Sequence, residues 1–550
     1  MIQSAAVLGA GTMGAQIAAH AANAGIPVLL LDVTAEAAQA GLDRLRTLKP
    51  DPFFVPDAAA LIRTGSFEEG LRAAGGTDWI LEAVVERLDV KQGLLARLAP
   101  HVGPESFVST NTSGIPIRQI AEGLPLRLRR RFLGTHFFNP PRYLQLVELI
   151  PGADTDADVM EAMRRFLDLR LGKGVVVAHD RPGFIANRIG VYGMARTLEL
   201  VADGRFSIDE VDALSGVAIG RPKSATFRTA DIAGLDILAK VATDLETNLK
   251  EEAFRLPPFV EAMVGEGAVG EKAGRGFFQK SKGADGSEIL VRDLAASKYV
   301  PRVKARFASV DAARSIEDVG ARVKALFLAK DRAGEFLRAT LGPTLLYAAR
   351  IAPDVAGSID DVDRAMRWGF GWELGPFETW DAVGIREVLE GAGVGPDDAP
   401  PLVAKALADG RNAFRDSPLP PAMSDYGLLR SARARSAPIR ANAAASLVDL
   451  GDGVLALTLH SKMNAIGGDT LEMIEAGLSA AAGHAGLVIA TGGPHFSAGA
   501  NLMLLLLAAQ EGEWDDIDLM VRSFQRATMA LRRSSVTVVS AVGGLALGGG

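Results

Sequence analysis

The feature that most constrains this chain is a glycine-rich turn directly after its first apolar segment. Residues 5–8 predict a short buried strand, and the segment after the turn has helical character. In such a unit the first glycine permits the tight turn, the second lets a pyrophosphate approach the backbone, and the third lets the helix pack on the strand. The N–H groups at the start of the helix then face the phosphates. We therefore expect cofactor contacts from the turn, at Gly9, Gly11, Thr12, Met13 and Gly14.

A second apolar segment, residues 28–31, ends at Asp32, which lies 32 − 9 = 23 positions after Gly9. A carboxylate at this position grips the ribose hydroxyls of a dinucleotide and repels a 2′-phosphate. The pattern therefore favours NAD over NADP. An aspartate that only caps the following helix remains the alternative.

Further apolar segments at 79–83, 107–109 and 132–135 are separated by stretches of helical character. Strands that alternate with helices predict an α/β fold with a doubly wound, Rossmann-type sheet. We expect this NAD-binding domain to span residues 1–185.

Composition excludes several classes of protein. The chain has 550 residues, 48% hydrophobic and 23% charged, which is typical of globular protein and long enough for about three or four cores. A net charge of −7 disfavours nucleic acid as a partner. Without cysteine there are no disulfides and no thiolate metal ligands, and we expect no metal. The N-terminus lacks the pattern of a signal peptide and the longest apolar run, residues 502–509, is short, so we expect a cytoplasmic protein without a membrane span.

Five segments in order make the chain similar to a known family. They are Glu82-Ala83-Val84-Val85-Glu86, Asn111-Thr112-Ser113, His136-Phe137-Phe138-Asn139-Pro140, Leu146-Val147-Glu148 and Pro182-Gly183-Phe184-Ile185-Ala186-Asn187-Arg188. With the glycine turn they resemble the bacterial 3-hydroxyacyl-CoA dehydrogenases of fatty-acid β-oxidation. The resemblance implies oxidation of (S)-3-hydroxyacyl-CoA to 3-ketoacyl-CoA with NAD.

His136 and Glu148 are the candidate catalytic pair. Alcohol oxidation needs a base for the hydroxyl proton, and a neutral imidazole suits that role near neutral pH. A lone histidine in a loop is more often structural, but the resemblance assigns His136 to catalysis. Glu148 lies in an apolar run where an unpaired carboxylate is costly, so it needs a partner. The family implies that it orients the imidazole, and an ion pair with Arg142 is the alternative.

The resemblance implies the remaining contacts. Ser113 and Asn187 match positions that hydrogen-bond the 3-oxygen of the substrate, and Asn139 matches a contact on the nicotinamide side. Glu86, Lys91 and Lys272 match cofactor contacts, as does Ser113, although a surface lysine is usually only solvated. The basic run 127–131 either meets the phosphates of CoA or forms a solvated face.

Residues 187–395 are predicted to be mainly helical and contain a repeat. The segment 208–212 recurs at 359–363, an offset of 359 − 208 = 151, and Phe227, Asp231 and Gly234 recur 150 positions later. A period this long indicates duplicated domains. We expect two all-helical dehydrogenase domains, 186–300 and 301–395. The first lacks the Gly-Pro-Phe element of the second, which leaves its dimer or substrate contacts in doubt.

The proline-rich segment 396–440, with Pro396, Pro400, Pro401, Pro418, Pro420 and Pro421, predicts a linker. Beyond it, residues 441–550 resemble the first part of a crotonase (enoyl-CoA hydratase) α/β domain in the segments 453–459, 462–465, 487–492, 496–501 and 538–550. These enzymes stabilise an enolate oxyanion with two backbone N–H groups. The resemblance assigns those donors to Ala500 and Gly549, and we expect the two hydratase glutamates beyond Gly550.

The leading interpretation is a bifunctional enzyme with acyl-CoA substrates, a dehydrogenase with hydratase activity in the intact chain. The resemblance also implies a homodimer through the helical domains, and a thiolase of the same pathway is a candidate partner. Two alternatives remain. The crotonase-like domain is degenerate or an isomerase, or the whole chain is a noncatalytic NAD-binding structural protein.

Overall fold

A computed structural model describes residues 2–283, 286–417, 437–451, 453–493 and 495–550 of the chain. The chain forms two compact units, Met1–Pro420 and Pro421–Gly550. Among the described residues, no helix combines the length and the apolar character that a membrane span requires.

The first unit begins with an eight-stranded sheet in the order β3-β2-β1-β4-β5-β6-β7-β8. All pairs are parallel except β6 with β7. Every residue of β1 and of β4 is buried, as expected for central strands covered by helices on both faces. The predicted Rossmann-type sheet is confirmed, with β3, β7 and β8 added to the five expected strands. The strands are β1 Ala5–Leu8, β2 Val28–Asp32, β3 Ile62–Ser66, β4 Trp79–Glu82, β5 Phe107–Thr110, β6 Phe132–Phe137, β7 Leu146–Pro151 and β8 Gly174–Val177.

Seven helices flank this sheet, and apolar residues of the first, second and last of them join residues of the strands in one core. The first helix, rich in alanine and buried along most of its length, packs closely on β1 and β2. The helices are α1 Thr12–Asn23, α2 Ala35–Leu45, α3 Phe67–Ala74, α4 Leu88–Leu98, α5 Ile117–Ile120, α6 Leu126–Arg129 and α7 Ala157–Leu169.

The next part of the chain is mainly helical, as predicted, with one exception. A three-stranded antiparallel sheet lies within the first helical domain, formed by β9 Phe278–Gly283, β10 Gly286–Asp293 and β11 Lys298–Pro301. The helices are α8 Ala186–Ala202, α9 Ile208–Leu214, α10 Phe227–Ala233, α11 Leu235–Leu249, α12 Pro258–Gly265, α13 Ala308–Ala313, α14 Val319–Phe327, α15 Arg332–Val355, α16 Ile359–Phe370, α17 Pro376–Val383, α18 Ile385–Ala392 and α19 Pro401–Ala408.

The sequence repeat corresponds to a repeat of structure. The carboxylate of Asp212, on α9, accepts a hydrogen bond from the backbone N–H of Phe227 at the start of α10. In the second copy Asp363, on α16, accepts the same bond from Phe377 at the start of α17. Since each aspartate ties one helix to the start of the next, the two copies share a local architecture.

The two copies also pack against each other through equivalent residues. Gly220 and Gly371, which are 151 positions apart, are both left-handed, with φ of +67° and +66°. The residues that follow them, Arg221 and Trp372, stack with 3.8 Å between the guanidinium carbon and the ring centroid. Contact between equivalent residues is typical of a two-fold interface, here formed within one chain.

The proline-rich segment differs from its prediction as a linker. Its first part forms a short 3₁₀ helix at Pro396–Asp398 and then α19. Beyond α19, the ring of Phe414 packs edge-on against Phe377, 4.9 Å between centroids, which attaches this segment to the second helical copy. Proline is well tolerated in the first turn of a helix, so its abundance alone did not identify a linker. Pro418, Pro420 and Pro421 lie outside the described residues.

The second unit is an α/β structure with its own apolar core. A five-stranded sheet has the order β12-β13-β14-β16-β18, and β15 pairs with β17. The strands are β12 Arg440–Ala441, β13 Ala445–Gly451, β14 Val454–Leu459, β15 Ala465–Ile466, β16 Gly486–Thr491, β17 Gly499–Ala500 and β18 Val538–Ser540. The helices are α20 Gly468–Ala481, α21 Leu502–Glu511 and α22 Trp514–Arg532.

Candidate active site

The glycine turn has the geometry that a dinucleotide requires. Gly9 has a φ of +110°, and a Cβ on Gly14 would lie 1.9 Å from the carbonyl oxygen of Gly9. A Cβ on Gly11, in contrast, would meet nothing within 4 Å. Two glycines are thus required by the fold, while the third leaves open space in front of the backbone. That space lies at the start of α1, which has no side-chain cap, so its N–H groups suit a pyrophosphate.

Asp32 lies beside this turn, at the end of β2. Its Oδ2 accepts a hydrogen bond of 2.7 Å from the N–H of Ala10, and its Oδ1 accepts one of 2.7 Å from the N–H of Val33. These bonds attach the carboxylate directly to the glycine turn, whereas the cap of the following helix is Thr34. The residues present therefore fit a bound NAD.

His136 and Glu148 form a buried pair. They face each other across the antiparallel strands β6 and β7. The distance from His136 Nδ1 to Glu148 Oε2 is 2.7 Å, and both side chains are almost fully buried. Arg142 instead donates to the carbonyl oxygens of Asp51 and Phe53, so the alternative ion pair of Glu148 is not formed.

The second oxygen of Glu148 is held by the start of α8. Oε1 accepts hydrogen bonds from the N–H groups of Ile185 and Ala186, at 3.0 and 2.8 Å. A helix N-terminus stabilises negative charge, so these two N–H groups compensate for the burial of the Glu148 side chain. Asn187 follows on the same helix, and no described residue contacts its amide by a hydrogen bond.

Apart from Glu148, the neighbours of the His136 ring include two aromatic side chains. The rings of Phe138 and Phe184 lie 4.5 and 5.6 Å from the imidazole, measured between centroids. His136 Nε2 makes no hydrogen bond to any described residue. The imidazole is therefore held at Nδ1, and its Nε2 has no hydrogen-bond partner among the described residues.

Ser113 lies in a loop organised by Glu86. Glu86 Oε1 accepts bonds from the Thr112 hydroxyl at 2.6 Å and from the N–H and hydroxyl of Ser113 at 2.8 and 3.2 Å. Although burial alone would raise the pKa of Glu86, the charge of Lys91 and these hydrogen bonds lower it below its usual value. Glu86 is thus an anion that shapes the loop.

Lys91, predicted as a cofactor contact, is fully buried. Its ammonium donates to both oxygens of Glu82 at 2.9 and 3.0 Å and lies 3.2 Å from Glu86 Oε2. The ammonium is therefore enclosed by two carboxylates rather than free on the surface. Any effect of Lys91 on the cofactor acts through Glu86 and the loop that carries Ser113.

Asn139 contacts a residue that the sequence analysis missed. Its side-chain oxygen accepts a 3.0 Å hydrogen bond from the amide of Gln16, on α1. This bond connects the loop after His136 to the nucleotide-binding helix. Gln16 is a polar residue among the buried alanines of α1, and such a buried polar side chain could have signalled this contact.

Lys173 is a second residue that sequence reasoning missed. It is 2% exposed, and its ammonium donates to the carbonyl oxygens of Pro141 and Leu144, both at 2.5 Å. Burial lowers the pKa of Lys173 to about 7. A single lysine in a loop gives no signal in the sequence, because only the folded loop brings the two carbonyl groups together.

Other predicted contacts lie elsewhere. Lys272 forms a 2.7 Å ion pair with Asp236. Its ammonium bonds neither to the glycine turn nor to His136. In the basic run, Arg127 donates to backbone carbonyl groups and Arg129 pairs with Asp154 at 2.8 Å. These arginines stabilise their own surface, which favours the interpretation of the run as a structural face.

In the second unit, Ala500 and Gly549 line one cavity of about 580 Å³. Most of its remaining wall is apolar and comes from α21 and α22, including Leu505, Leu519 and Phe524. The assignment of these two backbone N–H groups as oxyanion donors stays a prediction.

Comparisons with known proteins extend over the whole chain. The 3-hydroxyacyl-CoA dehydrogenase NAD-binding domain matches residues 4–181, and the C-terminal domain of the same family matches twice, at 183–280 and 334–436. A "Probable 3-hydroxyacyl-CoA dehydrogenase" of Bacillus subtilis is 40% identical over all of this chain and 74% of its own length. A protein of Rickettsia felis named as a fatty acid oxidation complex trifunctional enzyme is 28% identical over all of this chain and 75% of its own length.

The fold is also that of a solved structure. The 3-hydroxybutyryl-CoA dehydrogenase of Escherichia coli K12 is 24% identical and has a TM-score of 0.54, over 78% of this chain and 99% of that one. The double match to the C-terminal domain agrees with the repeat seen here, and its second part extends past residue 396. The chain, with an NAD-binding domain at its N-terminus, belongs to the 3-hydroxyacyl-CoA dehydrogenase family.

Proposed function

We propose that this protein oxidises (S)-3-hydroxyacyl-CoA to 3-ketoacyl-CoA, and that His136 and Glu148 are its catalytic pair. The observation that carries the proposal is the buried 2.7 Å contact between them, with the second oxygen of Glu148 held by the start of α8. A noncatalytic NAD-binding protein has no need to keep a buried imidazole–carboxylate pair, which is costly unless fully satisfied.

The pair can act as a general base. With Glu148 accepting from Nδ1–H, the neutral imidazole has its lone pair at Nε2, where it can take the proton of the 3-hydroxyl group. The imidazolium that results is stabilised by the adjacent carboxylate. NAD, when bound at the glycine turn, supplies the acceptor for the hydride that leaves the same carbon.

Two further residues complete the proposed substrate site. We assign Ser113 and Asn187 to the 3-oxygen of the substrate. The amide of Asn187 follows directly after the residues that bind Glu148, and has no other partner among the described residues. The Ser113 hydroxyl, which donates to Glu86, must rotate or share its proton to contact substrate.

We assign cofactor contacts to Asp32, to the glycine turn and, on the nicotinamide side, to Asn139. Glu86 and Lys91 support this side indirectly, through the Ser113 loop. Lys272 can contact the cofactor only if its ion pair with Asp236 opens.

The test is NADH oxidation with acetoacetyl-CoA, comparing wild type with His136→Ala and with His101→Ala, an exposed histidine of the same domain. We expect turnover by wild type and by His101→Ala, and its loss in folded His136→Ala. A folded wild type that binds NADH but turns over no 3-ketoacyl-CoA would contradict the proposal and favour the noncatalytic alternative.

For the second unit we propose hydration of trans-2-enoyl-CoA, with Ala500 and Gly549 as the oxyanion N–H donors. The shared apolar cavity supports this, and the name of the Rickettsia relative is consistent with it. Loss of crotonyl-CoA absorbance with the intact protein measures the activity. Isomerisation of a 3-enoyl-CoA without hydration would favour an isomerase, and neither activity would indicate a degenerate domain.

The associations of the protein remain predictions. We propose a homodimer through the helical domains, a thiolase of the same pathway as a partner, and a cytoplasmic location. The face that equivalent residues of the two copies share is already covered within the chain, so a homodimer must use a different face of these domains. Light scattering of the purified protein tests its oligomeric state, and copurification tests the thiolase.

A further inference from the structure

The first helical copy has a large cavity that none of the predicted catalytic residues line. It has a volume of about 1110 Å³ and lies between α9, the strands β9 and β10, and the segment 302–314. Seven lysine or arginine side chains line it, against four aspartate or glutamate side chains. Pockets for small molecules typically measure about 300–1,000 Å³, so this one is large enough for a nucleotide.

Three of the acidic side chains already have a basic partner in the cavity wall. The pairs are Asp209 with Arg302 at 2.7 Å, Asp311 with Arg314 at 3.2 Å, and Glu271 with Arg228. The other four cations have no ion pair to any described residue. They are Lys223, Lys280, Lys304 and Arg306. The cavity therefore has an excess of positive charge.

The equivalent carboxylates of the second helical copy have an arginine partner. There Arg415 follows Phe414 and donates to Asp360, Asp363 and Asp381, and it closes the polar cluster. The guanidinium thus bonds to all three carboxylates from one position.

In the first copy the N–H groups of Phe277 and Phe278 donate to Asp231, the equivalent of Asp381. These bonds identify Phe277 as the equivalent of Phe414, so Phe278 stands where the second copy has Arg415. Asp212, the equivalent of Asp363, consequently has no guanidinium of a described residue bonded to its carboxylate, and it faces the cavity. The same architecture that is closed in one copy is open in the other.

We propose that this cavity binds a phosphorylated ligand of nucleotide size. The unpaired cations contact its phosphate groups, since clustered lysine and arginine side chains are the usual phosphate ligands. Asp212 accepts a hydrogen bond from a hydroxyl or amino group of the same ligand. Two sources share this chemistry, a free nucleotide and the nucleotide part of CoA, and the second rests on the proposed function.

The experiment is calorimetric titration of the full chain with ADP and, separately, with CoA. Saturating NADH is present throughout, so that the dinucleotide site is occupied. The test variant is Lys304→Gln with Arg306→Gln, two of the unpaired cations. The matched control is Lys330→Gln, an exposed lysine that does not line the cavity. Circular dichroism and thermal unfolding check that each variant is folded.

We expect ADP to bind the NADH-saturated wild type and Lys330→Gln equally. Each lost charged contact weakens binding by about tenfold, so the double variant should bind about 100-fold more weakly. Absence of binding to the wild type, or equal binding by the folded double variant, would overturn the proposal.

Steady-state kinetics then separate the two sources. A rise in the KM for acetoacetyl-CoA in the double variant, with kcat unchanged, identifies the nucleotide part of CoA as the ligand. Weaker ADP binding without any change in that KM identifies a free nucleotide. If the chain binds ADP in this way but has no dehydrogenase turnover, the proposed function fails while the cavity proposal stands.

Discussion

Glu148→Gln tests how the catalytic pair works. Glutamine keeps one oxygen that can accept from the N–H groups of Ile185 and Ala186, now at 3.0 and 2.8 Å from Glu148. Its NH₂ group then faces His136 Nδ1, 2.7 Å away in the wild type, and must donate to it. The imidazole proton moves to Nε2, so the atom that faces substrate can no longer accept a proton.

The expected cost follows from this change of tautomer. Replacement of the carboxylate that orients a catalytic histidine lowers kcat by about 10⁴-fold in a serine protease, and we expect a loss of about 10²–10⁴-fold here, or about 3–5 kcal/mol. The fold should change little, because loss of one charge at a helix N-terminus costs about 0.3–2 kcal/mol.

The assay is NADH oxidation with acetoacetyl-CoA, together with NADH binding and thermal unfolding. Glu105→Gln, the same chemical change at a side chain that is 91% exposed, is the control. If folded Glu148→Gln binds NADH and keeps kcat within about threefold of wild type, the orienting role of Glu148 is refuted. A loss of activity that parallels unfolding would show only a structural role.

Three more predictions follow from the geometry. Gly14→Ala should unfold or lose NADH binding because of its 1.9 Å contact, whereas Gly11→Ala should stay folded and bind NADH more weakly, as thermal unfolding and fluorescence titration would show. Lys173 has a folded pKa of about 7, below its unfolded value, so the unfolded chain binds more protons than the folded chain between about pH 7 and 10. The free energy of unfolding should therefore rise with pH in this range, by up to about 1.4 kcal/mol per pH unit. Lys173→Met should lose this slope, as urea titrations at several pH values would show. Arg415→Met should destabilise the fold by about 3–5 kcal/mol because it leaves buried carboxylates without a cation. Arg302→Met, at a side chain that is 44% exposed, should destabilise it less. Equal effects of the two substitutions in urea unfolding would contradict this difference.

Local patterns were sufficient for several strands of the first domain but not for β3 and β8. The strands at 5–8, 28–32, 79–82 and 107–110 follow from short apolar runs, and the glycine turn has one dominant solution in backbone conformation. The duplication was also visible, because the segment 208–212 recurs at 359–363. The structure adds that each copy has an aspartate that binds the start of the next helix. The linker prediction was wrong in its first part, since prolines at 396–401 begin helices.

The polar contacts within the site were not readable in the same way. Lys91 looked like a surface lysine, yet the packing of α4 on the sheet encloses it between Glu82 and Glu86. Whether a lysine is solvated or buried depends on the depth of its neighbours, and a helical pattern with one charged position does not specify that depth.

The sequence by itself determined the glycine turn, several strands of the first sheet and the repeat, and its resemblance to a family supplied the candidate residues. The turn and the strands depend on interactions between residues close along the chain. Only the tertiary structure decided which candidates meet. His136 and Glu148 are 12 positions apart, and their contact requires the antiparallel register of β6 and β7. The N–H groups that hold Glu148 come from 37 and 38 positions further along. Such contacts are set by packing across the whole domain, since a one-residue shift in register would turn either side chain to the opposite face of the sheet.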